Sequence, residues 1–115
     1  LEDEIENDEL LAECLEITAR SAKKVQDYDR MESAWRRLAD LMPYRCDARN
    51  ELAKFYEHGR RDLLAAEREC VDTLKYLETR QSLGRIVDPA DRATFERRLE
   101  RIRKKLSKSG LLGEE

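Results

Sequence analysis

A chain of 115 residues has the length of one domain and leaves little room for a second core. Charged residues make up 43% of it and apolar ones 40%, with 4 Gly and 2 Pro, so the turn formers a many-stranded sheet needs are scarce and an all-α chain is expected. No stretch approaches the roughly 18 consecutive apolar residues that cross a bilayer as a helix, and no signal-peptide pattern opens the chain, so a soluble protein is expected, and three cysteines without a CxxC pair fit a reducing cytoplasm.

In chain order, residues 1 to 16 carry eight acids and no base, whereas residues 85 to 108 carry nine bases against four acids, beneath a formal net charge of -3. The first residue is Leu1 instead of Met, as expected of a processed chain or an excised piece of a longer one. From Leu11 the apolar and small positions run Leu11, Leu15, Thr18, Ala22 and Val25, with Leu10 and Cys14 beside them. This is a helical stripe, and the acids ahead of it suit a helix N-terminus. A second stripe, Met31, Ala34, Trp35, Leu38, Leu41 and Met42, starts behind the cap Asp27 and ends at Pro43. A third helix starts at Asp47 and carries Leu52, Ala53, Phe55 and Tyr56 to a stop at Gly59. The fourth begins near Asp62, with Leu63, Ala66, Cys70, Thr73, Leu74 and Leu77 on one side, and ends before Gly84. The fifth opens at Asp88-Pro89, a cap followed by proline at the first helical position, and carries Phe95, Leu99, Ile102 and Leu106 to about Lys108.

Short connections make consecutive helices antiparallel hairpins, and hairpins that recur every 30 to 50 residues or so build solenoids. Leu52-Ala53-x-x-Tyr56, then Asp62, Ala66, Cys70 and Thr73-Leu74, resembles the tetratricopeptide pattern, with one extra residue in the turn. The preceding unit then spans residues 12–45, with Ala19 in the small slot, Asp27-Tyr28 at the turn, Trp35 in the large slot and Pro43 at its end; Thr18, Ala22 and Met31 depart from the pattern. The resemblance implies a single domain, a short right-handed superhelix of units 12–45 and 46–80 with residues 89–108 as a capping helix. Two units are fewer than the three or so that usually make a stable stack, so the cap is expected to cover an exposed flank.

Glu51-Leu52-Ala53-Lys54-Phe55-Tyr56-Glu57-His58, Arg61-Asp62, and Phe95 to Leu106 resemble the helical C-terminal region of bacterial ribonuclease-H-like proteins of the YprB type, in which a 3'-to-5' exonuclease domain precedes tetratricopeptide-like helices. The resemblance covers mainly residues 43–108 and implies an accessory region. The catalytic acids of that family lie upstream, so none maps onto this chain. The acids of residues 2–9 do not replace them, because such carboxylates sit on strands and a separate helix around two metals.

Three cysteines, Cys14, Cys46 and Cys70, lie 32 and 24 residues apart without a CxxC pair, which fits small core residues better than a zinc site. No catalytic constellation, metal or cofactor is expected. The tetratricopeptide register places Glu13, Glu16, Arg20, Lys23 and Lys24, then Asp47, Asn50, Lys54, Glu57 and His58, along a groove suited to a protein partner or the upstream domain of the same chain. Arg20 and Lys54 stand where a carboxylate clamp for peptide tails would want asparagine. Adjacent helix positions point about 100° apart, so Glu57 and His58 are not expected to act as an acid–base pair, and His58 reads as a surface or turn-packing histidine. Arg97, Arg101, Lys104, Lys105 and Lys108 are expected opposite the apolar stripe of the fifth helix, where a row of cations can meet the phosphates of DNA or RNA. The core-like placement of Trp35, Phe55, Tyr56 and Phe95 leaves no stacking platform and favours a solvated face. The 4-3-4 spacing of Phe95, Leu99, Ile102 and Leu106 allows a homodimer seam, but a monomer with this helix as an intramolecular lid is expected.

Overall fold

The computed structural model describes residues 2–109, which hold five α-helices, one π-helical turn and no strand. The helices are α1 (Glu2–Lys24), α2 (Tyr28–Leu41), α3 (Cys46–Lys54), α4 (Leu63–Ser82) and α5 (Pro89–Ser109), and the π turn (Phe55–Gly59) continues α3. Contacts divide the chain into two compact units, residues 1–52 and 53–115. None of the described helices is long and apolar enough to cross a membrane.

Local chemistry sets the helix ends. The carboxylates of Asp27, Asp62 and Asp88 accept from the backbone N–H groups of Arg30, Ala65 and Ala90 at 3.3, 3.1 and 2.9 Å, satisfying donors that a helix start leaves open. The helix α1 starts earlier than the apolar stripe suggests. Asp3, Glu4 and Glu6 lie within its first turns, where glutamate is a good helix former and negative charge meets the positive end of the dipole.

In the first unit α1 packs along α2. The buried positions of α1 are Ala12, Leu15, Ala19 and Ala22, not the expected Leu11, Leu15, Thr18, Ala22 and Val25; Leu11 is partly exposed and Val25 and Cys14 are exposed. The helix is rotated so that small side chains face the bulky Met31, Trp35 and Leu38 of α2, which lets the two axes approach while the large residues fill the space. Arg45 donates to Glu16 at 3.2 Å and also pairs with Asp47, fastening the start of α3 to α1. Both acids push the Arg45 guanidinium further up, the Asp47 hydrogen bond most. Trp35 is 2% exposed, with the Arg20 guanidinium 5.2 Å from its ring centre. Trp35→Ala is expected to lower stability by about 3–5 kcal/mol, measured by urea denaturation, because the cavity adds to the lost burial.

In the second unit α4 packs against both the π turn and α5. Ala66, Cys70, Thr73 and Leu77 of α4 and Phe95, Ile102 and Leu106 of α5 are buried, whereas Leu74 and Leu99 are only partly covered. Cys70 is a core residue as expected, its thiol pushed up to about 11 chiefly by burial, and Cys46 is buried too. Cys14 corrects the expectation of three core cysteines, since it lies on the outward side of α1.

The π turn closes with Arg60 N–H donating to the Phe55 carbonyl at 2.9 Å, and Asp62 N–H reaches the Tyr56 carbonyl at 2.8 Å. Arg61, at φ +56°, then turns the chain into α4 through the left-handed region. Gly59 is required for close approach, because a β-carbon there would lie 2.7 Å from the Phe55 ring. Gly59→Ala, which helix propensity alone would favour by up to about 1 kcal/mol, is expected instead to destabilise by about 1–3 kcal/mol in urea denaturation, since the buried ring has to move.

Candidate functional site

The most heavily charged buried feature is Glu57, which the π turn carries into the second unit. Its side chain is 0% exposed and its two oxygens are fully engaged. Arg98 Nη1 donates to Oε1 at 2.8 Å, Arg101 donates through Nη2 to Oε1 and through Nε to Oε2, both at 2.7 Å, and Lys105 Nζ reaches Oε2 at 2.8 Å. His58 Nε2 lies 3.4 Å from Oε1. Three permanent cations on one carboxylate offset the cost of burying its charge. The Arg101 hydrogen bonds, reinforced by Lys105 and Arg98, overcome burial and hold the Glu57 carboxyl far below the usual carboxylate range, while Glu57 in turn raises the Arg101 guanidinium.

This arrangement corrects two expectations. Glu57 is a buried ionic anchor and not a groove residue, and Arg101 and Lys105 face it instead of lying opposite the apolar stripe. The reason is angular: positions 98, 101 and 105 flank the buried edge formed by Phe95, Ile102 and Leu106, within one side-chain length of the carboxylate. Of the remaining expected phosphate contacts, Lys104 pairs with Glu100 at 3.3 Å on the surface, and Arg97 and Lys108 are exposed. His58 and Glu57 do meet despite being adjacent in sequence. A carboxylate saturated by cations is too weak a base to take a proton from a substrate.

Beside Glu57 opens a cleft of about 360 Å³ bordered by His58, Arg61, Leu63 and Lys105. A groove between α4 and α5 exposes the edges of Leu74 and Leu99 among Glu96, Glu100, Arg103 and Lys104, and the Arg103–Glu67 pair at 3.0 Å ties the two helices nearby.

The other expected groove residues fall in separate units: Arg20, Lys23, Lys24 and Asn50 in the first, Lys54 and His58 in the second. Arg20 pairs with Glu16 at 3.0 Å, Lys23 and Lys24 are exposed at the end of α1, and Asn50 and Lys54 are half-buried. Among the described residues no group of three or more His, Cys, Asp or Glu side chains converges as a metal site would require.

The feature that sequence reasoning passed over is the outer face of α1. Leu10 is 60%, Ile17 59% and Val25 75% exposed, and with exposed Cys14 and Ser21 they form a second stripe facing away from α2. The signal was present in Leu10 and Cys14, which sit beside the expected core stripe, but periodicity alone cannot say which of two apolar faces is buried. No protein family, curated protein or solved structure matches the chain.

Glu57→Gln is expected to cost about 1–3 kcal/mol at pH 7, because three partly buried cations lose their anion. A carboxyl held low when folded contributes fully above the unfolded value near 4.3 and progressively less as pH falls below it, by up to about 1.4 kcal/mol per pH unit. The stability gap between parent and variant, measured by urea denaturation at pH 7 and pH 3.5, is therefore expected to narrow by roughly 1 kcal/mol at the lower pH.

Proposed function

We propose that the chain is a non-catalytic helical-repeat module, built from hairpins of the tetratricopeptide kind, whose work is to hold a protein partner. The observation that carries this reading is the two-sided apolar character of α1: Ala12, Leu15, Ala19 and Ala22 are buried while Leu10, Ile17 and Val25 are aligned and exposed. A helix facing only water gains nothing from a second apolar stripe, and exposed aligned apolar residues mark interaction surfaces. The packing of α1 along α2 supports the first hairpin of this reading; in residues 46–80 the π turn that continues α3 packs against α4, which also carries α5. The right-handed stacking with α5 as cap rests on the repeat pattern of the sequence, and the place beside a ribonuclease-H-like exonuclease domain rests on the resemblance of residues 43–108.

The chain incubated with Mg²⁺ or Mn²⁺ and single-stranded DNA or RNA is expected to leave both intact, and to show no salt-dependent binding by fluorescence anisotropy beyond that of a generic basic helix. Cleavage that disappears on substituting acids of this chain would overturn the reading. Binding abolished by Arg97→Glu combined with Lys108→Glu would replace it with nucleic-acid recognition through α5.

A further inference from the structure

The cleft beside Glu57 gathers more positive charge than its own acids match. Arg61, Arg98, Arg101 and Lys105 bring four permanent cations to this part of the second unit, against Glu57 and the buried Glu69 of α4. Asp62, next to Arg61, commits its carboxylate to the Ala65 N–H at the start of α4. Lys105 gives one of its three N–H donors to Glu57 Oε2 and lines the cleft with its side chain 41% exposed, so two donors remain for a ligand. The Arg61 guanidinium, on the same lining, meets no carboxylate among the described residues. His58, its side chain 56% exposed, and Leu63 complete the rim.

Glu57 does not deter an anion here, since both of its oxygens are engaged and the three cations on it exceed its single charge. The donors of Arg61 and Lys105 come from two different elements, the turn before α4 and the helix α5, and converge on one concavity instead of following a line. Helix α4 begins at Leu63, so the positive end of its dipole borders the same space. A phosphate monoester brings about −1.5 to −2 charges and three acceptor oxygens on a terminal group, which converging donors can surround. A phosphodiester carries a single charge, continues in two directions and is tracked by a row of cations. Lys104, which such a row along α5 would need, pairs with Glu100, and neither Arg97 nor Lys108 lines the cleft. A volume of about 360 Å³ admits a phosphate with a short carbon chain, for which Leu63 is the apolar wall.

We propose that this cleft binds a phosphate monoester, its phosphate held between Arg61 and Lys105 with His58 at the rim, and its carbon chain against Leu63. Glu57 is the positioning residue, because it holds the Lys105 ammonium at the edge of the cleft. The site lies wholly in the second unit and does not depend on the interaction-module reading, which stands on α1.

Titration of the full chain with O-phosphoserine, followed by backbone amide resonances, is expected to move those of His58, Arg61 and Leu63 with a Kd of about 0.1–1 mM. Arg61→Gly removes the guanidinium and relieves a positive φ, so the fold and its circular dichroism are kept while affinity falls at least about tenfold. Arg97→Gln, which removes the same charge from α5 away from the cleft, is expected to change affinity less than about twofold. Dimethyl phosphate, a diester, is expected to bind at least about tenfold more weakly than O-phosphoserine. A pentapeptide with one phosphoserine among alanines distinguishes the sources: tighter binding than the free amino acid assigns the phosphate to a protein, equal binding to a small molecule, and both support a monoester site. No saturable change up to about 20 mM ligand, or changes confined to other residues, would overturn the proposal. Equal losses in Arg61→Gly and Arg97→Gln, or a diester bound as tightly as the monoester, would overturn it too, since either means diffuse attraction to a basic surface.

Discussion

A carboxylate with no water around it must find its counter-charges within the protein, and Glu57 finds three of them on one helix. Arg98, Arg101 and Lys105 lie at successive three- and four-residue intervals along α5, so engaging all three on one anion fixes that helix in both rotation and translation. An apolar stripe alone would tolerate sliding by a residue with modest loss. The ionic contact does not, because the bidentate geometry of Arg101 on Glu57 has only one solution. The same charges surround the Cys70 thiol, which stays neutral at the centre of this unit.

The π turn is the backbone device that makes the anchor available. A turn closed by five-residue hydrogen bonds holds more residues than an α turn, and this widening lets Phe55, Tyr56 and Glu57 all be buried although they are consecutive. Its packing leaves no space for a side chain at Gly59.

In the first unit the balance is steric and not ionic. Three alanines on α1 give α2 room for Trp35, and the larger apolar residues of α1 are left on the opposite side. Small residues build the hairpin, and Leu10, Ile17 and Val25 are left exposed. The separation of acids and bases along α1 suits the helix dipole at both ends.

The sequence by itself determined the local events. The all-α class, the caps Asp27, Asp62 and Asp88, the break at Pro43 and the start of α5 at Pro89 depend on residues within one turn of each other, so they are legible without knowing what packs where. The core stripes of α2, α4 and α5 were legible in large part, because each of these helices has one dominant apolar face. Which face of α1 is buried was decided only by the tertiary structure, since both faces are apolar and the choice depends on the bulk that α2 presents. The fate of Glu57, Arg101 and Lys105 was decided there too: Glu57 lies more than 40 residues from either cation in sequence, and a charge reads as surface until the fold brings its counter-charges to it.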